Sequence, residues 1–551
     1  MKKRKLISVC LSIALVCAMT ACAAKPSKTQ PSPQSKEDFA LKVGLLYDPD
    51  VLDPTISSTS TSFLFIDYLF EGLMGYENEK DGIVVAKASQ AKSYSLSEDS
   101  LTYRFVLRDD IFWSDGKPVV AEDFVYSWQR LVDPATGSNY ASLLSMVENA
   151  QEILGGKKKP AELAVKAVDK KTFEVKLSQK CPYFTDICAT PPTFPVRKDI
   201  VEANGGKGYT TSKAFISNGA YSLENWEHDD KLALVKNPNY YGADKIGPSR
   251  LDFSVIADSQ QAQSLFSNGQ LDAVYEIDKK AAINMAGTEQ LLEKTMPGLR
   301  MVYFDNQKAP FNDPNIRKAF SLAIDRNAIV SDQFVANGTP LAAFVPYGIT
   351  DPDTGADFRK AKESYFSVKP EDYAANCEEA KKLLAKAGFE NGEKFPNVRF
   401  LHANTVFESA LAEALVKDWE KVLGVKVEMI TSDQKNRLKE TAAQEYDLSL
   451  TSWIADYNDP TTFLDLFEST NTFNTANYNS PEYDAALKKA ANAATTEERY
   501  AALHKAEDIL FADHAVLPVY NEFSCHLVQT NITGVETTPT QMLSLKYARL
   551  K

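Results

Sequence analysis

The sequence predicts a mixed α/β protein with more than one structural unit. In the first half, apolar residues alternate with polar ones, as at Tyr103 and Phe105, which is typical of strands with one buried face. In the second half, apolar residues recur at helical spacing behind capping residues. The chain has 551 residues, which is too long for a single hydrophobic core, and it shows no short internal repeat.

The N-terminus predicts a secretory signal peptide over residues 1–21. Four cations at positions 2–5 precede an apolar run, Leu6 to Ala18, that is shorter than the roughly 20 residues of a membrane-spanning helix. Small residues then lead to Cys22, which resembles the acylated cysteine of the bacterial lipoprotein lipobox, although Met19 stands where leucine is usual. We therefore expect a lipid anchor at Cys22; a plain secretory cleavage site is the alternative.

Residues 22–36 are rich in Lys, Pro, Ser and Gln and lack apolar periodicity, so they predict a flexible tether. Two or three acyl chains at about 0.8 kcal/mol per buried methylene hold a protein stably on a bilayer. No later segment predicts a transmembrane helix. The expected location is thus the extracytoplasmic face of the cell membrane.

Further strands are predicted from the alternation of apolar and polar residues, and further helices from capping residues. Alternation predicts further strands around Phe173 and Leu232. Helices are expected to begin at Pro314 and Pro481, because a capping side chain precedes each proline. Thr495 begins another helix, since Glu498 completes a capping-box pattern.

Composition excludes several classes of function. The formal net charge is −13 and becomes −17 without the four N-terminal cations, which argues against nucleic-acid partners. The remaining cysteines form no C-x-x-C pair and the five histidines show no ligand spacing, so we expect no metal site and no cofactor. Cys181 and Cys188 form either a local disulfide or two buried thiols.

Enzyme signatures are missing, whereas one loop has the character of a binding site. No hydrolase, zinc-protease or phosphate-loop motif occurs. In the stretch from Trp453 to Pro460, Asp459 is explained as a helix cap with Pro460 at the first helical position. Asp456 has no such structural role, and a carboxylate beside Trp453 and Tyr457 suits an ammonium group. A solvated loop aspartate is the alternative.

Several stretches resemble the oligopeptide-binding proteins of bacterial ABC importers, the peptide branch of the extracytoplasmic solute-binding proteins. They occur in the family's order along nearly the whole mature chain. These stretches are Phe70-Glu71-Gly72-Leu73, Trp113 to Arg130, Asp133-Pro134 through Ser142, Asn218-Gly219-Ala220-Tyr221, Asn237-Pro238, Asn306 to Phe311, Ala455-Asp456-Tyr457 and Asn477-Tyr478 through Ser480-Pro481.

The resemblance implies a two-lobe clamshell like that of periplasmic binding proteins, with an extra inserted domain. Lobe I would consist of residues 37–70, 200–298 and 523–551, with 71–199 inserted. Residues 299–522 would form lobe II. The lobes would close around a ligand by hinge motion.

The resemblance also implies a monomer that captures oligopeptides as an extended strand and passes them to an ABC permease with its ATPase subunits. Asp456 would bind the peptide's α-ammonium, Trp453 would wall a side-chain pocket, and Tyr140 and Tyr275 would line the cleft. Three rivals are a related protein for a nickel chelate, haem or sugar, a peptide-pheromone sensor, and a surface hydrolase.

Several positions depart from the family pattern, including those near Ser58 to Ser60, against which the peptide backbone would lie. Leu450 and Thr441 stand where some short-peptide binders have arginines, which in those relatives meet the peptide's C-terminal carboxylate. The cation is therefore absent or comes from elsewhere, and the preferred peptide length is open. We expect weaker dependence of binding on a free C-terminus than on a free N-terminus.

Overall fold

The computed structural model describes residues 38–551 except 79–83, 207, 210–214, 334–337, 352–355, 472 and 538–542. The predicted signal peptide, the tether and Cys22 lie outside the described residues. Within the described part of the chain, no helix is long and apolar enough to cross a membrane.

Strands and helices are interspersed along the chain, with runs of consecutive strands from β2 to β5 and from β19 to β23. The strands are β1 (Ala40–Leu45), β2 (Met74–Asn78), β3 (Val84–Ala88), β4 (Ala91–Leu96), β5 (Thr102–Leu107), β6 (Val165–Asp169), β7 (Thr172–Lys176), β8 (Tyr221–Glu227), β9 (Lys231–Lys236), β10 (Arg250–Val255), β11 (Ala273–Val274), β12 (Leu291–Phe304), β13 (Thr339–Pro340), β14 (Thr350–Asp351), β15 (Ala356–Asp357), β16 (Val398–Ala403), β17 (Val427–Ser432), β18 (Leu448–Ile454), β19 (Val516–Val528), β20 (Ile532–Thr533), β21 (Glu536–Thr537), β22 (Leu543–Ser544) and β23 (Arg549–Leu550). The α-helices are α1 (Ser60–Leu69), α2 (Ala121–Leu131), α3 (Ala150–Leu154), α4 (Phe184–Ile187), α5 (Lys198–Ala203), α6 (Ser259–Ser267), α7 (Lys279–Met285), α8 (Pro314–Leu322), α9 (Arg326–Gln333), α10 (Tyr373–Lys386), α11 (Val406–Leu423), α12 (Gln434–Ala442), α13 (Thr461–Leu464), α14 (Pro481–Ala491) and α15 (Thr496–Ala512).

One mixed sheet runs through the molecule in the order β17-β16-β18-β12-β19-β11-β1-β10-β9-β8, and β13 adds to β19. The long strands β12 and β19 pair antiparallel over much of their length, with register shifts in the middle. β1 pairs in parallel with β10 and β11. The predicted mixed α/β class is confirmed.

A second sheet of four strands, in the order β4-β5-β7-β6, lies within the region predicted to be inserted. Tyr103, Phe105, Phe173 and Val175 are buried on one face of it. Phe124 and Trp128 of α2 are also fully buried, and both rings contact Phe173. Period-two alternation therefore located these strands correctly.

The buried side chains separate into groups that define two lobes. One cluster draws mainly on residues 41–275 and on 528–548, and a smaller one on 262–285 with Cys525 and Leu527. Two further clusters draw on residues 299–520. We refer to residues 39–298 with 523–551 as lobe I and to residues 299–522 as lobe II. The exact domain boundaries remain a sequence-based prediction.

The predicted helix starts mostly agree with the structure. Pro314 and Pro481 begin α8 and α14, and Asp313 and Ser480 accept hydrogen bonds from the first-turn amides. Thr495 caps α15 in the same way, but Glu498 accepts from the amide of Ala494 at 3.1 Å and so does not complete a box with Thr495 itself.

Helix α13 begins one residue later than predicted, at Thr461 with Pro460 as the cap residue. The Asp459 carboxylate accepts from the amide of Thr461 at 3.0 Å. It also binds Arg499 through two hydrogen bonds of 2.7 and 2.8 Å. Asp459 therefore still receives a first-turn amide of the helix, as a capping residue does, while it pairs with Arg499.

Cys181 and Cys188 are free buried thiols. Burial raises the pKa of both thiols above its usual value. Of the two alternatives left open by the sequence, the structure therefore has the pair of buried thiols.

Candidate functional site

The site is built on an open strand edge in lobe II. β18 pairs with β12 along its whole length, from Leu448 to Ile454. On its other side, β16 pairs only with Leu448 and Ser449. Among the described residues, no strand covers that side of β18 from Thr451 to Ile454, so its backbone groups are available to another extended chain.

Asp456 lies just beyond the end of this open edge. Its amide donates to the hydroxyl of Thr462 at 3.0 Å, which fixes the loop. Its carboxylate accepts a hydrogen bond of 3.1 Å from the hydroxyl of Tyr140, which belongs to lobe I. No cation pairs with this carboxylate in the part of the chain that the structure describes. Asp456 thus offers a negative charge between the two lobes.

Burial raises the pKa of Asp456 to about 7, and the hydrogen bond from Tyr140 opposes part of that rise. Burial destabilises the ionised carboxylate, and no positive charge among the described residues offsets this effect. A ligand cation at this position would supply the missing partner, and the pKa of the acid would then fall. A buried carboxylate in this setting suits an ammonium group.

Aromatic rings from both lobes surround this carboxylate. The Tyr140 ring contacts Phe63 of lobe I at 5.6 Å and Phe473 of lobe II at 5.8 Å between centroids. Trp453, on the open edge, packs against Phe473 at 5.0 Å. The indole N–H of Trp453 is buried and finds no acceptor among the residues that the structure describes. The structure therefore brings three predicted site residues, Asp456, Trp453 and Tyr140, into one group and adds Phe63 and Phe473.

Tyr275 is the exception, because the structure places it in the core of lobe I. It is 5% exposed, its hydroxyl lies 3.0 Å from that of Tyr68, and it donates to the carbonyl of Leu543. Its ring contacts Phe253 and His526. Because its hydroxyl is hydrogen-bonded inside lobe I, Tyr275 packs in the core of that lobe and is not part of the candidate site.

The other end of the open edge carries a buried cation that sequence reasoning missed. Leu450 and Thr441 are both buried, and the Thr441 hydroxyl lies 3.4 Å from that of Ser449. Arg437, one helical turn before Thr441 on α12, donates from its guanidinium to the carbonyl of Leu450 at 3.2 Å. An arginine thus lies beside Leu450 and Thr441, the two positions at which some relatives have arginines.

A separate group of charges lies nearby on β12, α11 and β19. Arg300 binds Glu408 at 3.0 Å and Glu522 at 2.8 Å. Despite burial, these acids raise the pKa of Arg300 above its usual value. The charge of Arg300 is therefore balanced by two acids of the protein itself.

The lobes also meet away from Asp456. Tyr183 of lobe I stacks on Tyr457 of lobe II with centroids 5.1 Å apart and an interplanar angle of 3°. The guanidinium of Arg499, held by Asp459, lies 5.0 Å from the Tyr183 ring. These contacts belong to a closed arrangement of the two lobes. Across the described ranges, no group of three or more His, Cys, Asp or Glu side chains could hold a metal ion.

Comparison with known proteins places this architecture in a family. The model of bacterial extracellular solute-binding proteins, family 5 Middle, matches residues 87–475. The dipeptide-binding protein DppE of Bacillus subtilis is 30% identical, with 99% of each chain covered. The periplasmic oligopeptide-binding protein OppA of Salmonella typhimurium is 36% identical, with 80% of each chain covered.

A solved structure gives the same result at the level of the fold. The crystal structure of Haemophilus influenzae OppA in complex with RPPGFSPFR matches with a TM-score of 0.83 and 30% identity, covering 94% of this chain and 100% of that one. The likeness therefore extends over both lobes. The chain therefore belongs to the bacterial extracellular solute-binding proteins of family 5.

Proposed function

We propose that this protein captures oligopeptides between its lobes and delivers them to the permease of an ABC importer. The single observation that carries the proposal is the carboxylate of Asp456, which has no cation among the described residues and lies at the end of the open edge of β18. An extended peptide needs both features: a strand edge for its backbone and an acid for its α-ammonium. The names of the relatives support the same class of ligand.

Affinity would come from groups that every peptide has. Main-chain hydrogen bonds to Thr451–Ile454 do not depend on the peptide's sequence, as in other cases of strand addition. The contact between Asp456 and the ammonium adds roughly 1.5–3 kcal/mol as a charge-assisted hydrogen bond. Trp453 and Phe473 would wall a pocket for a side chain. Broad specificity with tight binding follows.

The rival ligands fit this site less well. A nickel chelate would be expected to find metal-ligating side chains, and a sugar or haem would leave the open backbone edge unpaired. The Asp456 carboxylate, which has a hydrogen bond from Tyr140 but no cation among the described residues, favours a cationic group, which haem and neutral sugars do not carry. Uptake and pheromone sensing share the capture step, so growth of a deletion strain on peptides distinguishes them.

The anchor and the moving parts belong to the same proposal. Acylation of Cys22 would hold the protein on the extracytoplasmic face of the membrane through the tether of residues 22–36. We further propose that the protein acts as a monomer whose lobes, with the predicted domain boundaries, separate to release the peptide. Contacts such as Tyr183 on Tyr457 would break when the lobes open.

Native mass spectrometry of the purified protein tests the proposal. We expect additional masses that correspond to peptides of several lengths and that disappear after partial unfolding and dialysis. Peptide added back should remain intact after long incubation, which distinguishes a binding protein from a hydrolase. A ligand-free protein that also fails to bind any added peptide would refute the proposal.

We expect peptide binding to weaken as the pH falls. Because burial raises the pKa of Asp456 to about 7, acidification protonates the carboxylate that must face the ammonium. Affinity should therefore be greatest between about pH 7 and pH 8, where the carboxylate is ionised and the peptide's ammonium, with a usual pKa near 8, is still protonated, and it should fall by up to about tenfold per pH unit below about pH 7. Calorimetry across this range measures the slope.

The matched control is Asp456→Asn, whose weaker binding should be nearly independent of pH over the same range. Equal slopes in the two proteins would show that another group is responsible for the pH dependence.

A further inference from the structure

Two side chains of lobe I follow neighbouring parallel strands of the large sheet. β1 and β11 pair in parallel, with Gly44 opposite Val274, so the residues that come after both strands lie at the same edge of the sheet. Tyr47 follows β1, and Glu276 follows β11. Ligands commonly bind beyond the carboxyl ends of parallel strands in α/β sheets. The topology therefore places an acid and an aromatic ring together where a ligand can reach them.

This edge of lobe I faces charged groups of lobe II. The Glu276 carboxylate is close enough to feel the charges of Glu522 and Arg300. The Tyr47 hydroxyl is close enough to feel those of Glu276 and of Glu408 on α11. Tyr47 and Glu276 thus lie on the lobe I side of the space between the lobes.

Both side chains are exposed although the lobes are closed. Tyr47 is 52% exposed, and Glu276 is exposed as well. Among the described residues, no cation forms an ion pair with the Glu276 carboxylate and no side chain donates a hydrogen bond to it. Space for a ligand group therefore remains beside an acid and an aromatic ring.

The surrounding charges do not balance the Glu276 carboxylate. Arg300 already binds Glu408 at 3.0 Å and Glu522 at 2.8 Å, and Arg437 is drawn towards Glu408. Three carboxylates therefore face two guanidinium groups. Burial within the cleft, followed by the charge of Glu522, raises the pKa of Glu276 above its usual value, and Arg300 opposes only part of that rise. A ligand cation would supply the missing positive charge.

The backbone of Glu276 is held in a conformation that residues other than glycine seldom adopt. Its φ of 52° lies in the left-handed region. Its amide donates to Nδ1 of His526 at 3.2 Å. His526 is 2% exposed, and burial lowers its pKa to about 4, so the ring is neutral and Nδ1 remains an acceptor. Backbone held in this region at the edge of a cleft is typical of functional sites.

We propose that Glu276 and Tyr47 form a subsite for a basic side chain of the bound peptide, so that lysine or arginine at one position raises the affinity. This inference rests on the proposed function. The carboxylate pairs with the ammonium or guanidinium group, and the exposed Tyr47 ring packs against the same cation. Arg300 lies opposite Ser452 in the pairing of β12 with β18, and Ser452 is about 13 Å from Asp456 at about 3.3 Å per residue. The subsite therefore receives a residue beyond the peptide's first one.

Titration calorimetry with alanine pentapeptides tests this subsite. Each peptide carries either lysine or norleucine, a neutral side chain of similar length, at a single position after the first. At one of these positions, the wild-type protein should bind the lysine peptide about five- to tenfold more tightly than the norleucine peptide. Glu276→Gln should remove this difference and leave the affinity for the norleucine peptide nearly unchanged.

Glu98→Gln is the matched control, because Glu98 lies on an exposed turn between β4 and β5 and should keep the preference for lysine. Tyr47→Leu should lower that preference about twofold or more, and it tests the same subsite if Glu276→Gln folds poorly. Equal binding of lysine and norleucine peptides, an equal gain from lysine at every position, or a preference that persists in Glu276→Gln would overturn the inference while the proposed function stands. If neither kind of peptide binds, the proposed function fails as well.

Discussion

Asp456→Asn should lower the affinity for peptides with a free N-terminus by tens- to a hundred-fold. The substitution keeps the size of the side chain and its hydrogen bond with Tyr140, but it removes the charge that faces the ammonium. A charge-assisted hydrogen bond in an enclosed site is worth roughly 1.5–3 kcal/mol, which corresponds to that range of affinity. Calorimetry with a free peptide and its N-acetylated form measures the effect.

The acetylated peptide should bind the wild-type protein weakly, and Asp456→Asn should lower its affinity only a little further. Asp229→Asn makes the same chemical change on an exposed turn and should leave both affinities unchanged. Unaltered capture of free peptides by Asp456→Asn would contradict the role given to this acid. Acetylation should also cost more than amidation, because Leu450 and Thr441 stand where some relatives have arginines for the C-terminal carboxylate.

Arg499→Met should lower the free energy of unfolding by about 3–5 kcal/mol, which is the usual cost of removing one partner from a buried ion pair. Asp459 is 4% exposed and would be left as an uncompensated charge. Arg499 also lies over the Tyr183 ring of lobe I. Urea denaturation of the ligand-free protein measures the loss.

Two comparisons separate this ion pair from a general effect of losing an arginine. Arg104→Met removes an exposed partner of Glu174 and should cost no more than about 1 kcal/mol. Adding Asp459→Asn to Arg499→Met removes the stranded charge and should restore part of the stability. A loss below about 1 kcal/mol for Arg499→Met would mean that the pair is solvated in solution.

Local sequence patterns predicted the elements but not the way in which they assemble. Tyr103, Phe105 and Phe173 alternate because one face of their sheet is buried, and Asp313 and Ser480 cap helices through bonds within one turn. The residues that make up such a pattern lie within a few positions of one another in the sequence. The pairing of β19 with β12, β11 and β13 joins distant segments, and no local pattern encodes it.

The candidate site was predictable where a residue lacked a structural explanation. Asp456 stood out because Asp459 already accounted for the helix start. The prediction that Tyr275 lines the cleft was misleading, because its hydroxyl binds the carbonyl of Leu543, 268 residues away in the chain. Arg437 could not be predicted, because only the fold shows that α12 brings its guanidinium to the carbonyl of Leu450.

A crystal structure of the protein with tetra-alanine tests the central claim most directly. We expect the peptide's α-nitrogen within about 3 Å of the Asp456 carboxylate, and main-chain hydrogen bonds from the peptide to Thr451–Ile454. A peptide bound outside the space between the lobes, or one whose amino end lies far from Asp456, would contradict the account.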